Sequence, residues 1–105
     1  MPVIKATDAE FAELLEQNEK VVVKYYADWC GNCRLFSPKY KRMAIAMQEQ
    51  GIKFLDVNAE TSPEARKLAN VTNLPFFAVF RNGELLETVA ASKEEAVAAL
   101  ISRLN

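Results

Sequence analysis

The sequence predicts an α/β fold: a mixed β-sheet with helices on both faces. Three observations carry that expectation. Apolar runs rich in β-branched and aromatic residues, Val21 to Ala27, Ile52 to Val57 and Phe76 to Phe80, alternate with stretches of helical periodicity, as βαβ units with parallel strands require. Asn82-Gly83 is a two-residue hairpin signal, so the last strand is expected to return antiparallel. The chain has 105 residues, half of them apolar and interrupted by only 3 Gly and 4 Pro, which suits one domain around one core.

In chain order, Val3 to Ala6 is expected as a short strand. Thr7-Asp8-Ala9-Glu10 has capping-box spacing, and Phe11, Leu14 and Leu15 recur at helical intervals, giving a helix over Asp8 to Gln17. Val21 to Ala27 lacks clean alternation and suits a strand covered on both faces. A long helix is expected to open within Trp29-Cys30-Gly31-Asn32-Cys33-Arg34 and to run toward Gln50, bending before Pro38, with Gly51 as its stop. Ile52 to Val57 is the next strand. Thr61-Ser62-Pro63-Glu64 starts a short helix with Pro where its missing donor does no harm. Phe76 to Phe80 and Glu84 to Val89 form the hairpin. Ser92-Lys93-Glu94-Glu95 has capping-box spacing again, and Val97, Leu100, Ile101 and Leu104 give the closing helix one apolar face.

Charge excludes several functions. Thirteen basic and fourteen acidic residues are interspersed for a net charge of -1, with no basic stripe for nucleic acid. No apolar segment approaches the roughly 18 residues of a membrane span, and the N-terminal stretch has no basic region followed by an apolar one, so a cytoplasmic protein is expected. There is no histidine, which removes His-based acid–base catalysis and the C-x-x-C-H haem attachment.

Chemistry concentrates in Cys30 and Cys33, the only two cysteines. A bond across a two-residue gap restricts the unfolded chain little, so the pair is chemical rather than structural. Closed zinc sites take four ligands and two thiols supply half of one, so no metal or cofactor is expected. At the start of a helix the positive end of the helix dipole stabilises a thiolate, and two neighbouring thiols close a reversible disulfide. Lys24 is the only charge in Val21 to Ala27, and Asp56 the only charge in Phe54 to Val57. A buried charge is costly unless paired, so they either offset each other across neighbouring strands, or Lys24 snorkels outward with Asp56 solvated.

Trp29-Cys30-Gly31-x-Cys33 after an apolar strand, Pro38 in the following helix, Leu74-Pro75 before an apolar strand and Asn82-Gly83-Glu84 in a hairpin occur in this order. On these motifs the chain resembles the thioredoxin family over essentially its whole length. The resemblance implies the thioredoxin fold and a protein-disulfide reductase cycling Cys30 and Cys33 between dithiol and disulfide. Cys30 would be the exposed nucleophile and Cys33 the more buried resolving thiol. Pro75, trans by default from its sequence alone, would be a cis proline against the cysteines. Trp29, Gly31 and Leu74 would line the substrate groove. Disulfide-containing client proteins and a thioredoxin reductase are the implied partners of a monomeric carrier.

The chain departs from the family in three places. Asn32 stands where Pro is most common, which loosens the turn and adds donors near sulfur. Lys24 and Asp56 occupy the places of a buried Asp and a Lys with the signs exchanged, so proton transfer from the resolving thiol falls to Asp56 and thiolate stabilisation to Lys24. Ala90, in Val89-Ala90-Ala91-Ser92, replaces a docking-surface glycine. A rival reading is a non-catalytic binding or assembly module that kept the fold.

Overall fold

The computed structural model describes residues 2–105. Strand β1 is Val3–Lys5, helix α1 Asp8–Gln17, β2 Lys20–Tyr26, α2 Gly31–Ala46, β3 Ile52–Asn58, α3 Pro63–Leu68, β4 Phe76–Arg81, β5 Glu84–Ala90 and α4 Glu94–Ile101. The mixed sheet flanked by helices on both faces agrees with the fold that the thioredoxin resemblance implies. Among the described residues no helix is long and apolar enough to cross a membrane.

Local chemistry accounts for most boundaries. Thr7 caps α1 through its hydroxyl, which accepts from the Ala9 N–H, while the Glu10 carboxylate accepts from the Thr7 N–H at 3.0 Å. Asn82 and Gly83 both take positive φ, 51° and 83°, the pairing a tight primed hairpin turn demands. Pro38 lies inside α2 without ending it. The helix is shorter than its sequence pattern suggests, however. It stops at Ala46 and passes through a 3₁₀ turn, Gln48–Gln50, to Gly51 in the left-handed region.

A second expectation is corrected at α4. Ser92 does not cap it: the helix starts at Glu94 with Lys93 as the cap residue and no side-chain capping bond. The chain leaves β5 in extended form through Lys93, so the first helical turn begins one residue too late for the Ser92-to-Glu95 spacing to close.

The strands lie in the order β1-β3-β2-β4-β5, with β2 and β3 central, parallel to each other, and the hairpin β4–β5 antiparallel at one side. Alternation along the strands divides the core in two. Val21, Val23 and Tyr25 pack with Phe11 and Leu15 of α1 and Ala65 of α3. Val22 and Phe54 pack with Phe36, Tyr40 and Met43 of α2 and with Val97, Leu100 and Ile101 of α4. By the same alternation Lys24 and Asp56 point to the α2 face. They stand at the carboxyl ends of the central strands, where α2 begins.

Candidate active site

Cys30 is the N-cap residue of α2 and Cys33 lies in its first turn. The two are joined as a disulfide with their Cα atoms 5.3 Å apart, within the range a disulfide spans. The backbone N–H of Cys33 donates to Cys30 Sγ at 3.1 Å. That bond and the positive end of a 16-residue helix both favour negative charge on Cys30 sulfur once the disulfide is opened.

The expected contrast in exposure between the two cysteines is not found. Cys30 is 5% exposed and Cys33 2%, so both are buried in this oxidised form. The covalent bond holds Cys30 sulfur over the first turn of α2, where the Cys33 amide also grips it.

Lys24 and Asp56 meet. Lys24 and Asp56 are register partners of β2 and β3, and Lys24 Nζ lies 3.4 Å from Asp56 Oδ1. Lys24 is 1% exposed, which rules out the snorkelling alternative. Its ammonium also donates to Ser37 Oγ at 2.6 Å and lies 5.4 Å from the Tyr40 ring centroid. Ser37 Oγ in turn donates to the Cys33 carbonyl at 3.2 Å. A tether thus runs from Asp56 through Lys24 and Ser37 to the backbone of Cys33.

Asp56 sits between two lysines, because Lys5 of β1 is its register partner on the other side. Among the described residues its buried Oδ1 has no hydrogen-bond donor in good geometry, leaving the Lys24 charge as its polar neighbour. Burial raises the Asp56 carboxyl above its ordinary value, and the Lys24 ammonium opposes that shift. Burial lowers Lys24, against the pull of Asp56. Desolvation dominates both groups and moves each toward its neutral form.

A cleft of about 320 Å³ brings these groups together with sulfur: Cys33, Lys24, Asp56 and Ser37 line it, with Lys5 and Arg34 at its sides. A separate groove, which Asn32 between the two cysteines borders, is lined also by Leu74, Pro75 and Ala90 and by Asn73, Ala91 and Ser92. The Leu74–Pro75 peptide is cis. Trp29 is 66% exposed, and its indole N–H donates to the Glu60 carboxylate at 2.7 Å, so it is a surface aromatic and not a core one. Around Gly31 nothing lies within 4 Å of where a Cβ would stand.

Ser37 and Glu60 escaped the sequence reading. Ser37 carries a faint signal, a hydroxyl one helical turn after Cys33 on the face that must meet β2. Glu60 carries none, since only the fold brings it across 31 residues to Trp29.

The Thioredoxin family model matches residues 2–103. The chain is 32% identical to the thioredoxin of Pyropia yezoensis, covering 100% of this chain and 96% of that one. It is 30% identical over 100 residues to thioredoxin 1 of Plasmodium falciparum, covering 95% and 94% of the two chains. Among solved structures, the oxidised mitochondrial thioredoxin 3 of Saccharomyces cerevisiae superposes with a TM-score of 0.87 at 28% identity, covering 96% of this chain and 94% of that one.

Proposed function

We propose a working cycle from the premise that this chain belongs to the thioredoxin family. It is a thiol–disulfide oxidoreductase, a protein-disulfide reductase. The observation that carries the cycle is the Cys30–Cys33 disulfide at the N-terminus of α2, with the Cys33 N–H already directed at Cys30 sulfur.

In the reduced protein the Cys30 thiolate attacks one sulfur of a client disulfide. A Cys30–client bond forms, the client S–S bond breaks, and one client thiolate leaves. Cys33 then loses its proton and attacks Cys30 sulfur. The second client thiolate leaves, the Cys30–Cys33 bond closes, and two electrons have passed to the client. Asp56, its carboxyl raised by burial, accepts the Cys33 proton across the cleft, directly or through a water. Lys24 holds negative charge on sulfur while that proton is away. A reductase partner, a thioredoxin reductase by family, returns two electrons and completes a short electron-transport chain.

The groove of Asn32, Leu74, Pro75 and Ala90, bordered by Trp29 and by the open space over Gly31, receives the client backbone. Asn32 leaves the turn between the cysteines less constrained than Pro would, which displaces the reduction potential from that of a Pro-containing site. The protein works as one domain, as a monomer and without a cofactor. Its compartment is the cytoplasm, the reading supported by two cysteines that serve reversible chemistry and not a structural disulfide framework, although one of the structural relatives is mitochondrial by name.

The test is capture. Cys33→Ser removes the resolving thiol, so client proteins are expected to accumulate as mixed disulfides on Cys30, released by dithiothreitol and absent from the Cys30→Ser variant. A Cys33→Ser protein that captures no client, though its Cys30 thiol reacts with a small disulfide, would overturn the carrier reading and leave a binding module.

A further inference from the structure

The charges of this chain are not spread as its net charge suggests. Helix α2 carries Arg34, Lys39, Lys41 and Arg42 and no acidic residue, so outside α2 nine basic residues stand against fourteen acidic ones. On the opposite face of the sheet, α1 carries Asp8, Glu10, Glu13 and Glu16 and no basic residue. Helices α1 and α2, on opposite faces, thus carry opposite charge, while α4 beside α2 adds Glu94 and Glu95 and α3 beside α1 adds Arg66 and Lys67.

Helix stability does not explain the basic side. Cations stabilise a helix in its last turn, yet the last turn of α2 has none and its first turn contains Arg34, where the macrodipole opposes a positive charge. Among the described residues none of the four cations forms an ion pair with a carboxylate. Nor is α2 a uniformly polar, solvated face: Leu35 is 74% exposed and Ile45 56%. Arg34, Ser37, Pro38, Lys41, Arg42 and Ile45 line a groove of about 570 Å³. Arg34 and Ser37 line the Cys33 cleft as well, so the groove adjoins that cleft and continues along the helix.

We propose that this groove docks an acidic, partly apolar segment of the protein whose disulfide reacts with Cys30. Carboxylates of the segment would meet Arg34, Lys41 and Arg42, and an aliphatic side chain would cover Pro38 and Ile45. The inference rests on the carrier reading above and adds the chemistry of the partner. Continuity with the cleft selects a redox partner as the occupant. Electrostatic complementarity of this kind raises association rates by about 10-fold to 1,000-fold at low salt and is lost as salt screens it.

The experiment uses the reduced full chain and three peptides with the same disulfide-closed ring, extended by a tail of glutamates, glutamines or lysines. At low salt the glutamate peptide is expected to be reduced about tenfold faster than the glutamine peptide, and the lysine peptide more slowly than either. The glutamate-to-glutamine ratio should fall to about one at about 1 M salt, where the Debye length is about 3 Å. It should fall likewise in the exposed double variant Lys41→Glu/Arg42→Glu at low salt. The same reversal on the other face of the sheet, Arg66→Glu/Lys67→Glu, should leave the ratio high.

Equal rates for the glutamate and glutamine peptides in the wild type would overturn the proposal, as would a ratio that survives reversal of Lys41 and Arg42. A salt-sensitive dimer of the wild type in sedimentation, abolished by that reversal, would assign the groove to a second copy and also overturn it. Failure of the reduced wild type to open the glutamine peptide at all would instead count against the carrier reading.

Discussion

Lys24 and Asp56 stand side by side in the parallel register of β2 and β3, and the more deeply buried of the two is the cation: the Lys24 side chain is 2% exposed, that of Asp56 15%. An uncompensated buried charge costs more than the pair contributes, so the two residues are stable only together.

Removing one partner should therefore be expensive and asymmetric. Asp56→Leu leaves the fully buried ammonium with only the Ser37 hydroxyl and an aromatic face, and is expected to cost about 4 kcal/mol in urea unfolding. Lys24→Met leaves a carboxylate that still reaches solvent and faces Lys5, at about 3 kcal/mol. The double replacement should return to within about 1 kcal/mol of the wild type or exceed it. If the two single losses simply add in the double variant, the pairing is energetically idle.

The pH dependence follows from the same pair. Burial raises Asp56 above its ordinary 3.8, so its contribution to stability is present below that value and is lost as pH rises through the raised one. Burial lowers Lys24 below its ordinary 10.5, so its contribution is present above that value and is lost as pH falls through the lowered one. The charged pair is thus at its least favourable between the two windows. The stability of Lys24→Met/Asp56→Leu relative to wild type should peak near neutrality and decline toward both ends. A relative stability independent of pH would show that neither group is displaced.

Proton transfer and positioning separate in the kinetics. Asp56→Asn should prolong the Cys30 mixed disulfide at least tenfold, because the Cys33 proton loses its acceptor, whereas the exposed control Glu49→Gln should not. Ser37→Ala removes the hydroxyl that ties the Lys24 ammonium to the Cys33 turn, with a smaller slowing of about threefold to tenfold that Ser37→Thr restores. Stopped-flow resolution of a preformed mixed disulfide reads both. Equal rates for Asp56→Asn and Glu49→Gln would remove Asp56 from the reaction.

What local chemistry dictates was legible in the residues alone. The capping box at Thr7, the Asn82-Gly83 turn, the β-branched core strands and the apolar face of α4 each depend on neighbours a few positions away, and each lies where the sequence puts it. The cysteine pair declared its chemistry by spacing, and Lys24 and Asp56 declared themselves as single charges within the apolar runs Val21 to Ala27 and Phe54 to Val57.

Distance in the chain marks where that legibility stops. Asp8 opens α1, yet its carboxylate accepts the Glu64 and Ala65 N–H groups, capping α3 from across the fold at 3.1 and 2.9 Å. Ser62, the residue immediately before α3, is buried and makes no capping bond. Ser37 acquires its place only because β2 and α2 bring it to Lys24, and Arg34 borders both cleft and groove only because α2 lies against that face of the sheet. A side chain's partners across the sheet are set by register and packing, which depend on the whole apolar pattern at once. The sequence alone determined the fold and the redox pair; the tertiary structure decided which groups surround the sulfurs and on which face the positive charge collects.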